Sequence, residues 1–516
     1  MSFLRKNVGI FVVLLLSFWA IRPLFVNGFF PMHDDTQVAR VFEMGKALRD
    51  GMFPVRWVAD LGYGYGYPIF NFYAPLAYYI GGLFILLGFD ALIATKIMMG
   101  IGILLAGVFM YLLAREFWGE IGGVLSGLFY VYAPYHALDA YVRGDVAEFW
   151  AYAFIPLMFW GFYKVLDSPR RSRRSDAFVT SEVAEWTPRR WTTWRWVIVG
   201  SIGYTGVILS HNLTAMMVTP FLVIVTLLYC YIAYRNKKIF TIYYLLFTIL
   251  LGLAFSAFYW LPAVLEMKYT NVLSQIGGGA DFRDHFVCIN QLWKSNWGFG
   301  GSAPGCMLDG MSFVIGKLHL VVPFVVLVLV LISLIKNKYY NFNKNYIVAF
   351  LSLAGFALST FFTLEISRFV WETIPLMAFF QYPWRFLLLA TFFSSFFSGS
   401  IIWFIKIRWV AGIGFTILVF LLIYFNYKLF QPQTIVAKTV LDYTSEYALK
   451  WTASKTSDEF LPPNFKKPKS EREIAKRSAI PPKETAIQKM SNTVSLGGII
   501  ILTLGIIVFR KKGLSG

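Results

Sequence analysis

The chain has 516 residues, of which 57% are hydrophobic and only 15% are charged, and its mean hydropathy is +0.59. This composition excludes an ordinary soluble globular protein. The formal net charge is +19, but the basic residues fall mainly between apolar runs, which is typical of cytoplasmic loops and lipid head-group contacts rather than of nucleic-acid binding. Because apolar stretches of spanning length recur from end to end, the sequence predicts an all-α polytopic integral membrane protein.

The first predicted helix covers residues 8–26, and the basic residues before it place the N-terminus in the cytoplasm. We expect residues 27–90 to form a long first extracytoplasmic loop with interfacial helices. Within it, residues 36–51 have the spacing of an amphipathic helix, and residues 67–89 are apolar enough either to cross the membrane or to re-enter it.

The basic loop at residues 167–195 decides between these two topologies. If residues 67–89 crossed the membrane, this loop would lie outside, whereas a re-entrant segment places it in the cytoplasm, where the positive-inside rule requires it. The later basic clusters then also fall inside. The sequence therefore predicts about twelve transmembrane helices in the plasma membrane, with both termini cytoplasmic.

Three regions follow from this topology. They are a transmembrane core at residues 1–426, a polar extracytoplasmic segment at residues 427–492, and a last helix with a basic tail at residues 493–516. The core has a second long external loop at residues 267–312, in which Cys288 and Cys306 could form a disulfide.

The first candidate site motif is His33-Asp34-Asp35, directly after the first helix. Asp35 or Thr36 could simply cap the amphipathic helix that follows. Capping requires one carboxylate, however, and the motif has two. Either aspartate is therefore a candidate catalytic group.

The second motif lies between the predicted third and fourth helices and contains Arg143, Asp145 and Glu148. The two acids are three residues apart, so at a helix start they share one face. Acids also interact favourably with a helix N-terminus, which is the structural alternative for this pair.

Two further motifs lie at predicted outer helix ends. His211 and Asn212 occupy a tight turn, where they could bind a substrate or only satisfy backbone groups. Gln381 and Arg385 belong to the sequence "FQYPWRF". The arginine could anchor the helix in an aromatic belt, or its guanidinium could bind a lipid-linked phosphate.

All four motifs fall on the external face of one predicted bundle. A carboxylate can act as a general base towards an acceptor, and cations can stabilise a departing phosphate. This mixture of groups is what transfer from a lipid-phosphate donor requires.

The order of these parts resembles the GT-C superfamily of membrane glycosyltransferases, and its layout is closest to the catalytic subunit of oligosaccharyltransferases. In that subunit an essential aspartate of the first external loop precedes an aromatic segment, matched here by Asp34 or Asp35 and "YPIFNFYAPLAYYIGGL". The stretch "LLAREFWGEIGGVLSG" is similar to its second and third helices, and "RGDVAEFWAYAF" is similar to its Asp-x-Glu loop. The similarity covers roughly the first 165 residues.

The whole chain is also similar to a family of membrane proteins labelled "6-pyruvoyl-tetrahydropterin synthase-related". The sequences that carry this similarity are "GMFPVRWVADLGYGYGYPIFNFYAPL", "LSHNLTA", "AFYWLPAVLE" and "FQYPWRF". The label does not imply pterin chemistry, because the five histidines show no zinc-ligand spacing.

The GT-C resemblance implies a bundle of about twelve helices that moves a sugar from a polyprenyl-phosphate donor to an extracytoplasmic acceptor. The acceptor would be a cell-envelope glycan, a lipid or a protein. Asp34 or Asp35 would be the base, and Asp145 with Glu148 the second acidic group. The residues expected to bind the donor are His33, Arg143, His211, Asn212, Gln381 and Arg385.

The resemblance leaves the metal open. Oligosaccharyltransferases bind a divalent cation through such acids, whereas many other GT-C enzymes need none. If a cation such as Mg or Mn is bound, the expected ligands are Asp35, Asp145 and Glu148. The chain has Asp-x-x-Glu in place of Asp-x-Glu and lacks the Trp-Trp-Asp signature, which argues against glycosylation of peptide asparagine.

Two other functions remain alternatives. A transporter or flippase of lipid-linked saccharides would have inverted repeats, broken helices and charges at mid-membrane depth. The sequence has few such charges and no evident repeat. The other alternative is a non-catalytic membrane protein of envelope assembly.

Overall fold

The helices account for nearly all regular structure in the described part of the chain. The computed structural model describes residues 2–167, 187–277, 280–336, 344–405, 407–476 and 479–514. The helices of the first half are α1 Ser2–Leu16, α2 Phe18–Ile21, α3 Gln37–Arg49, α4 Ile69–Phe72, α5 Leu76–Leu86, α6 Ala91–Val131, α7 Pro134–Leu138, α8 Val146–Asp167, α9 Thr187–Ser210, α10 Asn212–Arg235, α11 Ile239–Phe255 and α12 Ala257–Leu265.

The second half continues the same pattern. Its helices are α13 Lys317–Lys336, α14 Lys344–Thr363, α15 Arg368–Thr373, α16 Leu387–Ser398, α17 Ser400–Phe404, α18 Arg408–Asn426, α19 Leu441–Thr444, α20 Ser454–Thr456 and α21 Ala486–Leu514. Shorter 3₁₀ and π turns connect them, and the β contacts among the described residues are isolated bridges.

Seven of the described helices are long and apolar enough to cross a membrane, and the number rises to nine if each of two bent helix pairs is one span. This confirms the all-α polytopic fold class. The predicted number of about twelve requires three more spans. Those positions correspond to α9, α13 and the second arm of α6, so the full number and the orientation of the termini stay predictions. Most of the basic loop 167–195 lies outside the described residues.

Helix α6 is a hairpin rather than one rod, because its chain reverses at Gly119. This residue has φ +75°, a conformation that glycine adopts without strain. The two arms pack closely through small residues. A Cβ on Gly127 would lie 2.8 Å from the Gly107 carbonyl oxygen, so the arms can approach only without side chains there. The hairpin delivers the acidic motif to the same end of the bundle at which α6 begins.

Residues 27–90, which the sequence predicts to be external and which we call the first external segment, contain two packed helices, α3 and α5. A Cβ on Gly81 would lie 2.8 Å from Val41, and one on Gly45 would lie 2.6 Å from Ile85, so the two helices touch through their glycines. Helix α5 has 11 residues and is about 16 Å long, whereas a hydrocarbon core is about 30 Å thick. Its length therefore agrees with the predicted re-entrant or interfacial segment.

The polar segment 427–492 packs against this first external segment. The backbones of Phe29 and Val436 exchange two hydrogen bonds, of 3.0 and 2.7 Å, and the Ala475 N–H donates to the Tyr63 carbonyl oxygen at 3.0 Å. These contacts join the two ends of the chain on one side of the bundle. In the loop 267–312, the sulfurs of Cys288 and Cys306 are bonded.

Helix α3 also buries a carboxyl group, that of Glu43. The Asp60 backbone N–H donates to Glu43 at 3.3 Å, and Lys46 forms an ion pair with Asp60. Burial, with the nearby charge of Asp60, raises the pKa of Glu43 to about 8.

This pKa makes folding stability depend on pH. The folded protein keeps the Glu43 proton up to about pH 8, whereas the unfolded chain releases it near its ordinary pKa of 4.5. The stabilisation is therefore complete below pH 4.5 and is lost as the pH rises through about 8. We expect the melting temperature of the detergent-solubilised protein to fall over this range, and to fall less in Glu43→Gln. Equal slopes for the two proteins would contradict the assignment.

Candidate functional site

The acidic motif is shaped by a left-handed glycine before α8. Gly144 has φ +65°, and a Cβ there would lie 2.0 Å from the sulfur of Met32. The reversal places Asp145 at the start of α8, where its Oδ1 accepts the Glu148 N–H at 3.0 Å. Asp145 is therefore a helix cap and also brings a carboxylate to the end of the bundle.

Arg143 lies at the centre of a buried group of carboxylates. Its guanidinium pairs with Asp139, with Asp145 at 2.8 Å and with Glu148 at 2.9 Å. The opposite face of the guanidinium lies 4.6 Å from the ring centre of Trp384. Because these protein groups surround it, Arg143 holds the acids in place. The donor-binding role predicted for it stays a prediction.

Burial and the neighbouring charges shift the pKa values of Asp139 and Asp145 in opposite directions. Burial raises the pKa of Asp139 well above its usual range, and the charge of Glu148 adds to the effect. For Asp145, burial acts in the same direction, but the charges of Arg143, His211 and Arg385 hold its pKa below the usual value. The surroundings therefore favour the protonated form of Asp139 and the ionised form of Asp145.

Asp145, Glu148 and His211 could together hold a metal ion. Each offers one ligand atom, all within 4.8 Å of one another, and all three residues are buried. The His211 Nδ1 is paired with the Thr214 hydroxyl at 2.8 Å, which orients the ring. Two carboxylates and one imidazole suit a divalent cation, so the donor set fits. The predicted set had Asp35 in place of His211.

Asp34 lies beside this group. Its N–H donates to the Arg143 carbonyl oxygen at 2.9 Å, and the His33 N–H donates to Val142 at 3.1 Å. The Gln37 amide donates to Gly144 at 2.7 Å. The Asp34 side chain is half-buried.

Two effects set the acidity of this carboxyl group. Burial, followed by the charge of Asp145, raises the pKa of Asp34 to about 6. Asp34 therefore exchanges a proton close to neutral pH, as a general base should.

Asp35 has a partner outside the acidic motif. Its carboxylate pairs with Lys438 at 3.3 Å, and the two side chains are 34% and 39% exposed. The structure thus separates the two aspartates, which the sequence left equivalent. The exposed His33 ring contacts the loop 267–312, since its Nε2 lies 3.0 Å from the Phe299 carbonyl oxygen.

Arg385 approaches the acids from the opposite side. It is only 8% exposed, so it is not a lipid-facing anchor. One terminal nitrogen donates to Phe380 and to the Gln381 side chain, both at 3.2 Å, and its Nε lies 3.8 Å from Glu148. Gln381 has φ +64° and orients this arginine.

Asn212 has a structural environment at the start of α10. Its amide donates to the Phe72 carbonyl oxygen at 3.1 Å, and its carbonyl accepts the Tyr259 hydroxyl. These bonds fix the turn that carries His211. The structure therefore brings together Asp34, Asp145, Glu148, His211, Arg143 and Arg385, and places Asp35, Asn212, Gln381 and His33 around them.

The sequence reasoning did not single out Arg40. It is 5% exposed, and its guanidinium donates to Tyr78 at 3.3 Å and to Ser457 at 3.0 Å, with its centre 4.6 Å from the Tyr73 ring centre. Its charge opposes the burial that raises the pKa of Asp34. The sequence feature that could have indicated Arg40 is its position as a charged residue between the apolar residues Val38 and Val41.

Comparisons with known proteins give distant similarities. No protein-family model matches the chain. An uncharacterized protein of Lactococcus lactis subsp. cremoris (strain MG1363) is 23% identical over 278 residues, which cover 52% of this chain and 41% of that protein. The chain thus spans well under two thirds of that relative. The label of the family predicted from the sequence stays a prediction.

Three solved structures are similar in fold. The oligosaccharyltransferase AglB of Archaeoglobus fulgidus, in complex with an inhibitory peptide and a dolichol-phosphate, has a TM-score of 0.44 and 14% identity over 89% of this chain and 57% of its own. A second A. fulgidus oligosaccharyltransferase structure, in complex with Zn and sulfate, has a TM-score of 0.41 and 13% identity. The match covers 92% of this chain and 59% of that one. ArnT of Cupriavidus metallidurans, bound to undecaprenyl phosphate, has a TM-score of 0.36 and 12% identity. The match covers 76% of this chain and 77% of that one.

The buried charges around Arg143 generate a stability prediction. Arg143→Met leaves three buried carboxylates without their main partner, so we expect a loss of about 3–5 kcal/mol in unfolding free energy, seen as a lower melting temperature. Arg143→Lys should lose less. The matched control is Arg283→Met, whose half-exposed pairs with Asp281 and Glu372 are worth about 0–1 kcal/mol. Equal losses for Arg143→Met and Arg283→Met would contradict this account.

Proposed function

We propose that the chain is an integral-membrane glycosyltransferase that moves a sugar from a polyprenyl-phosphate-linked donor to an extracytoplasmic acceptor in the cell envelope. The observation that carries this proposal is the clustering of Asp145, Glu148 and His211 within 4.8 Å, next to Arg385 and Asp34. The sequence resemblance to GT-C enzymes supports sugar transfer as the reaction.

The charges of the site suit a departing lipid phosphate. Arg385 has a buried Nε without a hydrogen-bond partner among the described residues, 3.8 Å from Glu148. A phosphate oxygen would provide such a partner and would place the guanidinium against the charge that develops as the sugar leaves. The guanidinium groups of Arg143 and Arg385 also favour the ionised form of Asp145, so a carboxylate is available at neutral pH.

Asp34 supplies the base. Its pKa of about 6 leaves the carboxylate ionised at neutral pH yet basic enough to accept a proton from an acceptor hydroxyl or amide. The acceptor atom would then bond to the anomeric carbon while the bond from that carbon to the donor phosphate oxygen breaks.

The residues that would hold a divalent cation are Asp145, Glu148 and His211. When bound, such a cation acts as a Lewis acid on a phosphate oxygen. Arg143 fixes the spacing of the two carboxylates, and Thr214 fixes the imidazole ring. We place this face of the bundle outside the plasma membrane, as the basic cytoplasmic loops of the sequence predict.

Donor turnover tests the proposal. We expect purified protein in liposomes to release sugar from short-chain polyprenyl-phosphate hexoses, in the presence of an envelope extract as acceptor. Asp34→Asn should lower kcat by about 100-fold or more, because the general base is lost. The matched control, Asp35→Asn, should remain within about fivefold, because it loses only a partly exposed ion pair.

Two outcomes would contradict the proposal. One is that wild type turns over none of these donors, or moves them across the bilayer intact, as a flippase would. The other is that Asp35→Asn is impaired as strongly as Asp34→Asn.

A further inference from the structure

The motif His33 to Gln37 is held from two sides. On the site side, its backbone and Gln37 bind carbonyl oxygens of residues 142–144. On the opposite side lies a stretch of the polar C-terminal segment, residues 436–443, which we call the C-terminal clamp. The residues of the clamp are about 400 positions away along the chain, yet they contact Phe29, just before the motif, and Asp35 within it.

The clamp makes three kinds of contact. Val436 exchanges two backbone hydrogen bonds with Phe29, of 3.0 and 2.7 Å. Lys438 pairs with Asp35 at 3.3 Å. Tyr443 packs edge-on against Phe29, with 5.9 Å between ring centres, and its ring also lies 4.7 Å from the Lys438 ammonium. The eight residues of the clamp thus make backbone hydrogen bonds, an ion pair and aromatic contacts.

Gly28 is what allows this approach. It has φ +82°, and a Cβ there would lie 2.2 Å from the Val436 carbonyl oxygen, far below any van der Waals contact. Gly51 offers a matched comparison, because it has the same φ of +82° but a Cβ there meets nothing within 4 Å. Substituting alanine at both positions therefore separates the loss of the clamp from the cost of positive φ.

We infer that the C-terminal clamp is a positioning element for Asp34, acting through Phe29 and Asp35. This inference rests on the proposed function, in which Asp34 is the base. Lys438 pairs with one of the two adjacent carboxylates, that of Asp35. Asp34 is linked to the acidic motif instead, because its backbone N–H donates to the Arg143 carbonyl oxygen at 2.9 Å. A base must be held to within about half an ångström of its productive position, so loosening the clamp lowers kcat more than it changes KM.

The first test compares Gly28→Ala with Gly51→Ala. Amide hydrogen exchange is measured on both variants and on wild type, without substrate. We expect exchange in residues 29–36 to be about tenfold faster in Gly28→Ala and unchanged in Gly51→Ala. In donor turnover, Gly28→Ala should lose about tenfold in kcat, with KM for the donor within about twofold.

The second test uses the ion pair. Lys438→Met should lower kcat up to about fivefold, and Lys438→Arg should restore it, because the pair is partly exposed. Lys455→Met is the control, since this lysine belongs to the same segment but lies over the Trp451 ring. In an Asp35→Asn background, Lys438→Met should have no additional effect, because its partner is already neutral.

The outcomes separate this inference from the proposed function. If wild type turns over no donor, the proposed function fails, and hydrogen exchange still decides whether the clamp holds the motif. Equal exchange rates in Gly28→Ala and Gly51→Ala would overturn the clamp. A full effect of Lys438→Met in the Asp35→Asn background would also overturn it. Two results together would support it. Amide exchange would be faster in Gly28→Ala alone, and Lys438→Met would have no additional effect on kcat in the Asp35→Asn background.

Discussion

The buried contacts of Arg143 with Asp139, Asp145 and Glu148 are the interaction on which the rest of the site depends. Carboxylates inside a helical bundle are costly unless a cation compensates them, and here one guanidinium contacts all three. The Gly144 reversal makes this geometry possible, because it sets Asp145 and Glu148 on one face of α8. Removing the arginine would leave the acids protonated or the bundle rearranged.

The same cluster explains why distant parts of the chain converge. Asp34 arrives from the first external segment, His211 from the start of α10 and Arg385 from the turn before α16. Each changes the acidity of a neighbour. Asp145 raises the pKa of Asp34, while His211 and Arg385 hold the pKa of Asp145 down. The site is therefore one electrostatic unit assembled from four separate segments.

The sequence predicted the fold class, because the bilayer requires long apolar helices that hydropathy reveals. It also indicated that the four motifs lie at one end of the bundle. It could not distinguish Asp34 from Asp35, since the choice depends on Lys438, which is 403 positions away. It also could not group His211 with Asp145 and Glu148, or place Arg40 near Asp34. Those positions depend on how helices rotate against one another. Hydropathy does not specify that rotation.

The central proposal about the site is that Asp145, Glu148 and His211 hold one divalent cation. Electron paramagnetic resonance titration of purified protein with Mn²⁺ tests it directly. The account predicts one bound ion per chain, at least about tenfold weaker binding in His211→Gln and Asp145→Asn, and unchanged binding in Asp35→Asn, with melting temperature as the check of folding. Wild-type protein that binds no Mn²⁺, or binding that is lost in Asp35→Asn but retained in His211→Gln, would contradict it.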